Sequence, residues 1–173
     1  MSAPTSALPE IPRTGSEVET LTAFLDYYRV VLRRKAEGLT AQQLDFALPP
    51  SSMTLGGMLK HLTYVEYWWY VEIPGDQTPP EPWASVDWSA DSDWDWHSAV
   101  DDSPSELLAE YDQACAASRD AVAGVGLDEI ARRRTRHGAV SLRWIHVHMI
   151  EEYARHCGHA DLLREAIDGE TGD

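Results

Sequence analysis

Positive charge is scarce in this sequence. Fourteen Lys and Arg stand against 29 Asp and Glu, a formal net charge of −15. Such a field repels phosphate backbones and anionic membrane surfaces, so neither nucleic acid nor membrane is an expected partner. Cysteine is scarce too: Cys115 and Cys157 are the only two. That is too few, too far apart, for a disulfide scaffold, and reduced thiols in a cytoplasmic protein are the expectation. No apolar run reaches the roughly 18 residues of a membrane span. The opening "MSAPTSALPEIPRTGSE" lacks the charged and apolar regions of a signal peptide. A nucleophile elbow, a phosphate-cradling glycine loop and a dinucleotide fingerprint are all missing. What is present is 43% hydrophobic residues with seven Trp and seven Tyr, enough to bury a core in one domain.

Helix signals organise the chain. Residues 1–15 are rich in Pro, Ser and Thr and read as an extended lead-in to a domain over 16–173. "SEVE" is a capping box, Ser16 at the N-cap and Glu19 at N3. Leu21, Phe24, Leu25, Tyr28, Val31 and Leu32 follow at helical spacing, predicting a helix over 17–37 ended by Gly38. Thr40 and Gln43 predict a short capped helix before Pro49 and Pro50. Thr54 opens a helix over 55–73 with Leu55, Met58, Leu59, Leu62, Val65 and Trp69 as its buried stripe. Ser103, Pro104 and Glu106 announce a helix over 104–123. The last helix, 141–167, starts at Ser141 and ends before Gly169. Four long amphipathic helices without a strand pattern define an all-α chain, a four-helix bundle.

Between the second and third long helices lies a long acidic, aromatic crossover, "PGDQTPPEPWASVDWSADSDWDWHSAVDD". Loops of this length are uncommon unless functional. It either forms a lid over the open end of the bundle or packs down as a satellite core, and packing is the preferred reading. Tyr64, Tyr67, Trp68 and Tyr70 read as an exposed aromatic face, covering either the crossover or a homodimer interface. The run Arg132, Arg133, Arg134 and Arg136 could hold a substrate carboxylate, although pairing with surface acids is the commoner use.

The last helix holds four of the seven histidines in "HVHMIEEYARHCGHADLLREAIDG". At 100° per residue, His148, Glu152, His156 and His159 fall within about 80° of one face, which Leu163 continues inward. His146 falls on the opposite side and is read as unrelated. Glu152 and His156, four residues apart, can reach one point. That is half of a metal site, and a facing helix completes it in a bundle interior. His61 is the candidate there, on the buried stripe beside Met58, Leu62 and Val65, where an imidazole needs a partner. His61, Glu152 and His156 form a three-ligand set with open positions, as in catalytic zinc sites. The same donors suit nickel, manganese or iron. His148 and His159 are candidates for orienting a ligand or lining the pocket. Cys157 is read as packing rather than nucleophile, and Gly56-Gly57 as close helix packing. Taken singly, a helix histidine is usually structural or solvated; the constellation is more specific than its parts.

Two stretches, "TLGGMLKHLTYVEYWWY" and "LRWIHVHMIEEYARHCGHADLLREAIDG", resemble the DinB/YfiT-like superfamily of helical metalloproteins, over about residues 16 to 170. The chain looks most like its actinobacterial branch near the mycothiol-dependent enzymes. The superfamily pattern is a His in the second long helix, then His-x3-His-x-Gly-Gln in the last. Here Glu152 replaces the first of that pair, His156 is the second, and His159 stands where Gln is common. The Glu variant resembles the mycothiol-dependent maleylpyruvate isomerases, which share the His, Glu, His ligand types. The resemblance implies His61, Glu152 and His156 as ligands of a divalent metal, zinc first. It also implies a low-molecular-weight thiol co-substrate of the mycothiol type and a small electrophile. This sequence shows no counterpart of that isomerase's extra C-terminal domain, so its substrate is not carried over. The expected activity is a thiol-dependent transferase or isomerase. The alternatives are a metal-dependent hydrolase, a non-catalytic metal- or ligand-binding stress protein, and a scaffold whose site has decayed.

Overall fold

A computed structural model describes residues 7–136 and 138–172. The first six residues of the lead-in and His137 thus lie outside the described residues. The order is α1 (Glu17–Ala36), α2 (Ala41–Leu44), α3 (Leu55–Glu66), a π-helical turn (Tyr67–Glu72), α4 (Ile73–Gly75), a 3-10 turn (Trp83–Ser85), α5 (Trp94–His97), a 3-10 turn (Ser98–Asp101), α6 (Pro104–Ala121) and α7 (Leu142–Asp168). Among the described residues there is no strand, only two isolated bridges.

The helix starts follow from their caps. Ser16 with Glu19, Thr40 with Gln43 and Ser103 with Glu106 form reciprocal capping boxes, while Thr54 and Ser141 cap α3 and α7 through side-chain oxygens. Each box satisfies backbone donors that the first helical turn leaves free. Gly38, just past α1, has φ +77, and Gly169 caps α7 at φ +79, a left-handed conformation glycine adopts at little cost.

α1 packs along α7, and α3 along α6. His61 meets His156 while Tyr70 meets His146, so α3 and its continuation run antiparallel to α7. Leu25, Leu32, Leu55, Met58, Leu59, Leu62, Ile145, Met149 and Tyr153 fill the core. Each is almost fully removed from water, which supplies the main driving force for the bundle. Phe24, placed on the inner stripe of α1 by its spacing, is 38% exposed; Leu25 from that stripe is buried as expected, and Arg29, outside it, is buried too.

The second long helix departs from its expected course. α3 stops at Glu66 and gives way to the π turn before α4 ends at Asp76, which is left-handed at φ 53. Tyr67 and Tyr70 are not an exposed face: they are 3% and 1% exposed. Tyr70 lies in the main core, and Tyr64 and Tyr67 lie beneath the crossover. Trp83 and Trp88 pack on these two tyrosines, with Tyr64 and Trp88 ring centroids 4.3 Å apart, and Trp94 packs edge-on against both tryptophans. Burial of these large rings is what folds the crossover down.

A charged pair sits at the centre of the bundle. Glu66 is fully buried and takes two bonds from Arg29, Nε to Oε1 at 2.7 Å and Nη2 to Oε2 at 2.6 Å. The Tyr153 hydroxyl donates to the same carboxylate at 2.6 Å, and the Cys115 thiol lies 3.9 Å from it. Burial beside this carboxylate pushes the Cys115 thiol up to about 12, so it is no nucleophile near neutral pH. Cys157 is likewise buried, its sulfur 3.7 Å from the Tyr28 carbonyl. In the arginine run, Arg133 pairs with Glu72 at 2.7 Å and with Asp76 at 3.2 Å, as a surface role requires.

Candidate metal centre

His61 leaves the middle of α3 at the edge of its buried stripe, and α7 brings Glu152 and His156 to it on successive turns. One donor atom from each of the three lies within 4.8 Å of the others. Glu152 Oε2 is 3.6 Å from His156 Nε2, and the two imidazole centroids are 5.2 Å apart. Donors held 2.0–2.2 Å from one tetrahedral ion would be separated by roughly 3.4 Å, so the spacing fits a single cation. The side chains of His61 and Glu152 keep 21% and 20% of their exposure while that of His156 keeps 9%, leaving one side of the cluster open.

The electrostatics suit a cation as well. The Glu152 carboxyl is held below its ordinary value, first by the contact with His156. Burial opposes this, and the neighbouring His148, His156 and His61 add to the lowering. His156 Nδ1 and His159 Nδ1 are buried and make no hydrogen bond among the described residues. Each such orphan costs about 1–3 kcal/mol.

The crossover supplies what the sequence reading missed. α5 turns Asp95 inward, 4% exposed, with Oδ2 2.7 Å from His61 Nδ1. The carboxylate accepts a hydrogen bond from Nδ1–H, the second-carboxylate arrangement common behind metal-binding histidines. Trp96, the next residue, stacks on His61 at 4.7 Å and 25°. It fits there because position 57 is glycine: a Cβ would lie 2.9 Å from Trp96 Cε3 and 3.1 Å from Thr54 Oγ1. The Gly-Gly pair thus serves close packing, as expected. Nothing in the acidic run "DSDWDW" distinguishes Asp95 from its neighbours, so no local signal could have singled it out.

The other histidines sort themselves by position. His148 lies on the outer flank of the cluster, its Nε2 3.7 Å from Glu152 Oε1 and its ring stacked on Trp144 at 4.9 Å. Trp69 closes its other side at 4.7 Å. His159 lies beyond His156, 5.9 Å between ring centroids. Both therefore border the cluster. His146 is apart from it, as expected, but it does not point away from the core. It is 4% exposed, and its Nδ1 shares a 2.7 Å hydrogen bond with the Tyr70 hydroxyl. The buried arc of α7 is centred near Met149 and Tyr153, with His146 on one flank and His148 on the other, so a wheel centred on the ligands misplaced it. Burial, with the nearby Arg29 guanidinium, lowers His146 to about 4.

An all-α bundle with two histidines and a glutamate converging from its second and last long helices is a DinB-like helical protein. Within that class the match is narrower: the family model of the mycothiol-S-transferases covers residues 20–169. The chain belongs to that family, whose name denotes a mycothiol-linked transferase. No curated protein is detectably similar to it in sequence. Among the described residues no helix is long and apolar enough to cross a membrane.

Proposed function

We propose that this protein is a metal-dependent thiol S-transferase that joins mycothiol, or a close relative, to a small electrophile. One observation carries the reading: in a chain of the mycothiol-S-transferase family, donor atoms of His61, Glu152 and His156 lie within 4.8 Å of one another on an open flank of the bundle. These residues would hold a divalent cation, zinc before nickel, manganese or iron. Bound there, the cation would lower the proton affinity of a ligating thiol, supplying thiolate near neutral pH.

The chain's own residues account for the rest. Asp95 holds the tautomer and ring angle of His61. Glu152 is the only anionic donor of the three and offsets part of the cation's charge. Trp96 on one side, with His148 and Trp69 on the other, lends the open flank aromatic walls that exclude water from an electrophile. His148 stands close enough to Glu152 to orient an incoming group.

The test is zinc analysis followed by turnover of zinc-loaded protein against an electrophile panel, with and without mycothiol. Thiol-dependent conjugation supports the reading. Turnover that persists without thiol would transfer the assignment to a hydrolase. No turnover on any electrophile, despite one bound zinc, would refute the enzyme. His61→Ala and His156→Ala should each abolish zinc binding, and His146→Gln should not. Occupancy should fall as pH drops below neutrality, because the imidazoles bind metal only when neutral.

A further inference from the structure

His61 and His156 enter the cluster on unequal terms. Behind His61, the Asp95 carboxylate accepts a hydrogen bond from Nδ1–H at 2.7 Å. Behind His156 there is no such carboxylate among the described residues. Its Nε2 faces Glu152 Oε2 at 3.6 Å, and its Nδ1 is buried without a hydrogen-bond partner among the described residues. A neutral imidazole that holds a cation through Nε2 carries its proton on Nδ1, and a histidine ligand almost always donates that proton to an acceptor. His156 is 7% exposed, so the acceptor has to be found inside the bundle.

The rings that border His156 narrow the choice. Centroid to centroid, His61 lies 5.2 Å away, Trp96 5.8 Å and His159 5.9 Å. An indole N–H only donates, which excludes Trp96. His61 gives Nδ1 to Asp95, which leaves its other nitrogen to the donor set. His159 has a ring nitrogen to offer: its Nδ1 is also buried and also without a hydrogen bond among the described residues. The two histidines are three positions apart and therefore neighbours on one face of α7. Two orphan nitrogens on adjacent rings are satisfied together if one donates and the other accepts. One water, about 2.9 Å from each, bridges nitrogens up to roughly 5.8 Å apart, a span that rings at this separation accommodate.

We propose that His159 is the positioning residue of His156: through one internal water its Nδ1 accepts the Nδ1–H of His156, as Asp95 accepts that of His61. The two supports differ in chemistry. Asp95 brings a carboxylate, whereas His159 brings a neutral acceptor. His156 is thus held in tautomer and ring angle without a second acid behind it, and Glu152 remains the only anionic donor. A cation so held keeps more of its attraction for an incoming thiolate. The proposal rests on the metal centre of the thiol-transferase reading and deepens it, and it is read in metal binding rather than in turnover.

The experiment is zinc competition against a chromophoric chelator, with proton–nitrogen NMR of the imidazoles, on wild type, His159→Leu and His159→Gln. Zinc-loaded wild type should show His156 protonated at Nδ1, that proton slow to exchange with water. Leucine fills the space but accepts nothing, so His159→Leu should lose roughly 10- to 100-fold in zinc affinity and the slow proton with it. Glutamine offers an amide oxygen, so His159→Gln should recover most of the affinity and the slow proton, a rescue that a space-filling role does not produce. Circular dichroism of the zinc-free proteins checks that the helices stand. A His159→Leu protein with wild-type zinc affinity and the slow proton intact overturns the proposal. So does zinc-loaded wild type with His156 protonated at Nε2, or a His159→Gln protein as weak as His159→Leu. Wild type that takes up no zinc removes the metal centre and this proposal together. The expected zinc results without thiol-dependent turnover remove the transferase alone, and wild-type turnover with an unaffected His159→Leu protein removes the positioning role alone.

Discussion

Removing the Asp95 carboxylate should weaken zinc binding although Asp95 is not itself in the donor set. Among the described residues its only hydrogen bond to the centre is the 2.7 Å contact with His61 Nδ1. In Asp95→Ala, Nδ1 loses that acceptor, the ring is free to take the other tautomer, and the electron-donating push of the carboxylate disappears. Changes of this kind cost roughly 10- to 100-fold in metal affinity, about 1.4–2.7 kcal/mol. Asp95→Asn keeps the shape and an acceptor oxygen while losing the charge, and should fall near the lower end. The assay is competition for zinc against a chromophoric chelator, with helicity checked by circular dichroism. A helical Asp95→Ala protein with wild-type zinc affinity would refute the reasoning.

Three further outcomes are expected. Arg29→Ala strands the Glu66 carboxylate and should cost about 3–5 kcal/mol in urea unfolding, whereas Arg29→Met with Glu66→Leu should recover most of it; equal losses would count against a paired role. Gly57→Ala drives a methyl into Trp96 and Thr54, and should lower stability by about 1–3 kcal/mol and loosen zinc with it; an unchanged melting curve would contradict that packing. His146 is neutral in the fold down to about 4, against an ordinary value near 6.5, with Arg29, Glu66 and Asp26 as its charged neighbours. The unfolded chain then binds the extra proton between those values, so chelator-treated protein should lose on the order of 3 kcal/mol from pH 6.5 to 4. His146→Gln should remove that part of the slope, and a pH dependence unchanged by the substitution would exclude His146 as its source.

The long helices were legible because their starts are written in the chain. Ser16 with Glu19 and Ser103 with Glu106 are local signals that need no knowledge of the rest of the fold. The proposed donors were legible for a related reason: an i, i+4 pair and a lone histidine on a buried stripe remain visible in one dimension. The crossover was not, since turns of three or four residues carry no period and Asp95 looks like any of its acidic neighbours. The π turn after Glu66 has no residue signature either. Glu66 itself reads as one more solvated helix glutamate; what buries it is a guanidinium thirty-seven positions away.

That carboxylate also bears on which bundle the chain can form. Four greasy-faced helices can be arranged around a core in two senses of rotation, and aliphatic side chains discriminate poorly between them. Glu66, on α3, takes Arg29 from α1 and Tyr153 from α7, and the Cys115 sulfur of α6 lies against it. Exchanging the positions of two helices would keep the oil together and tear that meeting apart, leaving an ion in the interior without its counterpart. The meeting of four helices on one residue therefore disfavours the other sense of rotation, and it lies little more than a helical turn along from His61, on the helix that brings His61 to Glu152 and His156.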